Sequence, residues 1–267
     1  MQRLKPMSRL LLFLTATLFA GMASAQVSYV GQATAANFTS SPATVSGLTV
    51  SGSATMLLVG VSLFRTGSTT SPTVSGITWN GTPLSLVCSN GASYGSPANN
   101  TARFEIWSLA NPAAGSHDVV VTVSGTVTNF RAGAALFANV ASLGTCNTVR
   151  DQDGSSSSAS VSVSVPTSGA AFDTLAVNTQ NSVTISAPPA AQTSLWNLSS
   201  GTSAGAASYA GVVTTMSRSW TNGTAISAYG AVPLKPAPPV RRSQTIIGSS
   251  KQPDSDASPV EVARLDP

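Results

Sequence analysis

Charge is what this sequence has least of. Only 8% of its 267 residues are Asp, Glu, Lys or Arg, and His117 is its one histidine. Before the C-terminal tail, Glu105 is the sole glutamate. That scarcity narrows the chemistry. Glycoside cleavage needs two carboxylates facing each other at a fixed separation, and the available pair shrinks to Glu105 with Asp173. By period two, Glu105 shares a strand face with Arg103 and Trp107, so its most economical role is an ion pair with Arg103 or an exposed place on the sheet. A Ser-His-Asp relay needs an acid that orients the base through its second ring nitrogen. Asp118 follows His117 directly, and strand neighbours point to opposite faces. No catalytic residue is expected, and the chain reads as a non-enzyme.

Basic charge is also thin. The net +4 belongs partly to the N-terminus: without Arg3, Lys5 and Arg9, 10 of the 13 basic residues remain against 9 acids. Nothing supplies the basic face that phosphate neutralisation needs, so nucleic acid is not an expected partner. Cysteine is limited to Cys88 and Cys146. In an exported chain such a pair reads as a disulfide, which would stabilise the fold by about 4 kcal/mol. Two cysteines without partners at ligand spacing do not make a metal site.

Long apolar runs are missing except at the start. Arg3, Lys5 and Arg9 precede the run Leu10 to Ala20, and Ala23-Ser24-Ala25 supplies small residues for cleavage before Gln26. This is the pattern of a signal peptide over residues 1–25, since the run is about half the roughly 20 residues a membrane span needs. The expected location is outside the cytoplasm, secreted or at the cell surface, with no transmembrane segment in the mature chain.

What is present is short apolar runs set in Ser, Thr, Gly, Ala and Asn, with 42% of residues apolar. Thr55 to Phe64 (TMLLVGVSLF) is a buried strand, too short and too β-branched for a helix. Val74 to Trp79, the turn Asn80-Gly81, and Pro83 to Cys88 form a hairpin signal. Ala102 to Leu109, His117 to Ser124, Ala132 to Val140, Ala159 to Val165, Phe172 to Thr179, Ala207 to Thr214, Met216 to Trp220 and Ser227 to Leu234 continue the series. No segment carries a capped 3.6-residue period. The fold expected for residues 26–235 is a single all-β domain, a two-sheet antiparallel sandwich of jelly-roll or Greek-key type.

An internal echo runs through it. Ser51-Gly52 leads to Leu58-Val59 as Ser168-Gly169 leads to Leu175-Ala176, and Thr128-Asn129 precedes a small-residue strand as Thr221-Asn222 does. Two related halves with interleaved strands would produce this. Residues 236–267 read as a Pro-rich, disordered tail.

Flat aromatic faces suit the C–H surfaces of sugars. Tyr94 and Trp196, both in Ser/Asn/Gly-rich surroundings, are the candidate ligand residues, whereas Trp79 and Trp220 read as structural. Asp151-Gln152-Asp153-Gly154-Ser155 is similar to the opening of a calcium loop. The later bidentate acid is missing, so Asp151 and Asp153 make only a weak Ca²⁺ candidate and a solvated turn is the plainer reading. No other cofactor is implied.

The segments GITWNGTPLSLV (76–87), RFEIWSLANPAAGSHDVVVTVSG (103–125), FANV (137–140) and AISAYGAVPLKPA (225–237) together resemble an uncharacterised group of bacterial extracellular β-sandwich modules found in secreted and surface proteins. The resemblance spans about Val27 to Pro236. It implies a fold and an extracellular setting, and no site residues. The expected role is a non-catalytic module for surface adhesion or carbohydrate contact, with a glycan or matrix component as partner. The alternatives are a structural subunit of a matrix, coat or fibre, and a concanavalin-like glycoside hydrolase.

Overall fold

The structure, a computed structural model, describes residues 25–32, 35–95, 99–221 and 225–238. The expected signal segment up to residue 24 and the tail from residue 239 lie outside the described residues. Strands follow one another from end to end: β1 (Ser28–Gln32), β2 (Ala36–Phe38), β3 (Ala43–Val50), β4 (Ala54–Arg65), β5 (Thr73–Trp79), β6 (Thr82–Pro83), β7 (Ser85–Tyr94), β8 (Asn100–Ala110) and β9 (Gly115–Ser124). The series continues with β10 (Asn129–Ala138), β11 (Val140–Leu143), β12 (Asn147–Asp151), β13 (Ser158–Ser162), β14 (Ala170–Thr179), β15 (Gln192–Ser200), β16 (Ser203–Ala210), β17 (Thr215–Ser219) and β18 (Ala225–Pro236). The fold is all-β and antiparallel.

Two inner sheets form the sandwich. One has the order β1-β10-β4-β8-β7, with β2 also on β10; the other has the order β11-β18-β14-β16-β15, with β12 also on β18. Each carries a smaller outer sheet, β3-β9-β5-β6 over the first and β13-β17 over the second. Three apolar cores lie between the four layers. Leu57, Val59, Val61 and Leu63 of β4 face the first outer sheet with Trp79, Val119 and Val121. Met56, Leu58 and Phe64 face the other way, into the seam between the inner sheets, with Phe104, Phe137, Phe172 and Val232. Leu175 and Val177 of β14 meet Val161 and Met216 of the second outer sheet. A strand buried on both faces has no polar side to alternate with, which is why β4 reads as an unbroken apolar run.

The two halves repeat one another. β4 lies between β10 and β8 as β14 lies between β18 and β16, and both hairpins carry a bulge at the corresponding place. In β7 it falls between Leu86 and Cys88, opposite Trp107 and Ile106; in β15 it falls between Ser194 and Trp196, opposite Ser208 and Ala207. The topology is duplicated, but the sequence echo is out of its register: the echo sets Leu58 on Leu175, whereas the paired strands set Leu58 on Phe172. The halves do not interleave, however: each keeps its own pair of sheets, and the inner sheets pack face to face.

That packing is close because glycines stand where the sheets meet. A Cβ on Gly205 would lie 2.6 Å from Ser62 Oγ, and one on Gly133 would lie 2.8 Å from the Trp196 ring. Ser62 Oγ donates across the seam to the Leu175 carbonyl at 2.7 Å. Cys88 and Cys146 are disulfide-bonded, tying β7 of one half to the segment that enters β12 of the other.

The Asn80-Gly81 hairpin forms, with φ of 46° and 75° at its two central residues. Its second arm is shorter than expected. Pairing ends at Thr82–Pro83, after which Leu84 donates to Ile77 and the chain crosses to the inner sheet as β7.

Candidate functional site

The hairpin β7–β8 continues pairing to Tyr94 with Asn100. Its counterpart β15–β16 stops at Ser200 with Ser203, two residues short of the equivalent point by register. The longer hairpin overhangs one end of the seam. There it meets the end of β14, the start of β18 and the loop after β12, and these enclose an open cavity of about 170 Å³ lined by Tyr94, Asn100, Asp153, Asn178, Gln180 and Asn181, among others.

Two of these side chains are buried and incompletely paired. Asn178 is 2% exposed and its Nδ2 donates to the Thr101 carbonyl at 2.8 Å, which fixes the amide and leaves Oδ1 as the free end. Asn178 Oδ1 has no partner, and neither does Oδ1 of Asn100, which is 7% exposed. A stranded buried acceptor costs about 1–3 kcal/mol. Both oxygens belong to residues of one cavity, beside an aromatic ring and a carboxylate.

The equivalent end of the seam in the other half is filled. Aligning the central pairs Gly60–Gly133 and Thr174–Gly230 sets Arg131 on Ala228, Phe64 on Asn178 and Asn129 on Ile226. Arg131 is 1% exposed and packs its guanidinium 4.7 Å from the centre of the Phe64 ring. It donates to Asn129 Oδ1 at 3.0 Å and to the Ser203 carbonyl and hydroxyl at 2.7 and 3.1 Å. Burial pulls its pKa down to about 10, and no carboxylate is within ion-pair distance among the described residues. In place of this arginine the other half has Ala228, which is buried in the seam core and does not line the cavity.

Neither a protein-family model, a curated protein nor a solved structure matches the chain.

The expected site residues separate. Tyr94 and Asp153 come together in the cavity. Trp196 does not join them: it is 7% exposed, tilted against Phe172 at 6.1 Å between ring centres, with its ring against the places that Gly60 and Gly133 leave open. The bulge after Ser194 breaks the alternation, so that Leu195 and Trp196 both turn into the seam core. Trp79 and Trp220 are buried.

Asp151 is occupied by its own turn. Its Oδ1 accepts from the N–H groups of Asp153 and Gly154, and its Oδ2 from that of Ser156. Burial alone would raise its pKa, but the hydrogen bonds from Asp153, Ser156 and Gly154 outweigh this and hold it below the ordinary carboxylate value. No group of three His, Cys, Asp or Glu able to hold a metal occurs among the described residues.

Glu105 pairs with Arg103 at 2.7 Å as its strand face predicts, and it is buried rather than exposed. It also accepts from Trp107 Nε1 and from the Val74 N–H, joining the first inner sheet to its outer sheet. Asp173 does the same in the other half, taking Arg218 of β17, Tyr229, Ser208 and Gln192. Each carboxylate faces its own outer sheet across the sandwich, so the two do not flank a common groove.

Reading for charge passes over two Gly-x-Ser-x-Gly spacings, Gly91 to Gly95 and Gly201 to Gly205. A nucleophile elbow needs a strand-to-helix turn. Here Ser93 lies in β7 and Ser203 in β16, with no helix among the described residues. His117 sits in β9 with its ring edge-on to Trp79 at 5.3 Å. No helix of the described residues is long and apolar enough to cross a membrane.

Proposed function

We propose that the protein is a secreted, non-catalytic binding module of the kind found in bacterial surface proteins, and that it makes adhesive contact through the Tyr94 cavity. One observation carries the reading: an open cleft brings the Tyr94 ring and the Asp153 carboxylate together with the side-chain amides of Asn100, Asn178, Gln180 and Asn181. Such a set favours a polar ligand that brings donors, a sugar bearing hydroxyl groups among them. Glu105 and Asp173 are committed to tying sheets together and do not face each other as a carboxylate pair for hydrolysis.

The test is a screen of the purified secreted chain on a glycan array and a panel of matrix proteins, with Tyr94→Ala alongside. The expected result is a hit that weakens at least several-fold in the variant. Hits that ignore Tyr94→Ala would move the contact elsewhere.

A second reading rests on the outer sheets, whose exposed strands pair hydroxyls, Thr49 with Ser116 at 2.7 Å and Thr73 with Ser124 at 2.6 Å. A surface of hydroxyls with few charges to repel a neighbour suits lateral assembly in a coat or fibre. Large species in size-exclusion chromatography of the ligand-free protein would favour it, and a monomer would remove it.

A further inference from the structure

The chain enters the fold beside the start of β14, at the end of the seam opposite the Tyr94 cavity. Both polar atoms of the peptide joining Gln26 to Val27 are held there. The Gln26 carbonyl accepts from Asn139 Nδ2 at 2.8 Å, and the Val27 N–H donates to the Ser168 carbonyl at 2.8 Å. Val27 is 5% exposed, whereas Gln26 itself is exposed. The fold therefore takes hold of the chain directly after Ala23-Ser24-Ala25, the small residues at which a signal segment would be cut. A cut there frees the α-amine of a glutamine, the residue whose own carboxamide lies within reach of that amine as a γ-lactam.

We propose that the exported chain begins at Gln26 and that this residue is cyclised to pyroglutamate. The inference rests on the reading of the chain as secreted and is independent of any ligand at Tyr94. The α-amine nitrogen attacks the side-chain Cδ, and an N–Cδ bond forms as the Cδ–Nε2 bond breaks. Ammonia leaves, taking one proton from the amine, so the step needs no oxidant, reductant or second substrate. The ring keeps the Gln26 carbonyl, and with it the contact to Asn139. Gln26 also lines a cleft with Val27, Tyr29, Ala170 and Tyr209, where the two tyrosine rings stack with centres 5.0 Å apart. The lactam puts a neutral amide at this cleft in place of a charged terminus. It also leaves no α-amine for an aminopeptidase, and the bond that a pyroglutamyl peptidase would cut is the clamped one between Gln26 and Val27.

The test is Edman sequencing of the protein exported from the full chain, with mass spectrometry of its tryptic peptide ending at Arg65. The expected result is a blocked N-terminus and a peptide that starts at Gln26 and is lighter by one ammonia. Gln26→Ser should be exported and sequence openly from the substituted position. A pyroglutamyl peptidase should open the unfolded protein at Val27 at least several-fold faster than the folded one, and equal rates would overturn the protection given to the clamp. An open Gln26 of full mass, or a block that forms only on storage, would overturn the cyclisation and leave secretion standing. An exported chain that starts at another residue would overturn the proposal in the same way. A chain that keeps residues 1–25 would overturn it together with the secreted reading.

Discussion

Gly230→Ala tests whether the halves meet as closely as the seam requires. Gly230 pairs with Thr174 at the centre of the second inner sheet, and a Cβ there would run into the ring of Phe104 on the first. Phe104 is fully buried between strands that are hydrogen-bonded on both sides, so the ring has little room to retreat. Overpacking of this kind costs about 1–3 kcal/mol, against about 0.5–1 kcal/mol that alanine regains over glycine in a strand. The net expectation is a loss of about 1–2 kcal/mol, or about 2–8 °C in Tm for a chain of this size. Phe104→Leu should also destabilise the protein, by leaving space in the core. The double variant should lose less than the two losses added, because each change relieves the other. The assay is urea unfolding of the four proteins at constant m. Gly76→Ala serves as control, since nothing lies within 4 Å of a Cβ there. Additivity within about 0.5 kcal/mol, or a stabilised Gly230→Ala, would refute the close face-to-face contact on which the cavity depends.

The other expectations follow from single contacts. The Tyr229 hydroxyl donates to Asp173 at 2.9 Å, and burial first, then the Asp173 charge, raise its pKa above the ordinary 10. Its contribution is whole below pH 10 and is lost as pH rises further, because only the unfolded chain ionises it; the alkaline slope of stability should be shallower in Tyr229→Phe by about 1.4 kcal/mol per pH unit. An unchanged slope would place the hydroxyl outside the core. Reducing Cys88–Cys146, or changing both residues to alanine, frees a loop with a sequence separation of 58 and should lower stability by about 4 kcal/mol, read by unfolding with and without reductant. Trp196→Ala should cost about 3–5 kcal/mol in the same assay, whereas a neutral result would return that ring to the surface as a ligand residue.

Much of the fold is legible because inner strands must be apolar on both faces. β4 and β14 stand out for that reason, as does the Asn80-Gly81 turn, which needs the positive φ that these two residues tolerate. Edge and outer strands such as β3, β12 and β15 are hidden, since one or both faces meet water and their Ser/Thr text matches that of loops. Trp196 shows the limit of alternation: one bulge reverses which face its ring takes, and nothing in QTSLWNLSS announces a bulge. Tyr94 is legible as an aromatic in polar surroundings. Its partners Asn100 and Asn178 are not, because an asparagine whose oxygen lacks a partner looks the same in sequence as one that is solvated.

Among the described residues, Asn100, Arg131, Thr174 and Asn178 leave buried polar atoms without partners at the seam, and Arg218 and Trp220 do so under the second outer sheet. A seam built only for stability would be apolar, since each such atom costs about 1–3 kcal/mol when nothing repays it. At the Arg131 end the chain answers its acceptors with its own guanidinium. At the other end a hairpin longer by two residues overhangs an open cavity lined by Tyr94, Asn100 and Asn178, among others. Two copies of one topology thus differ most where one is closed and the other open. The open end, lined by polar side chains and one aromatic ring, is what supports the contact proposed there.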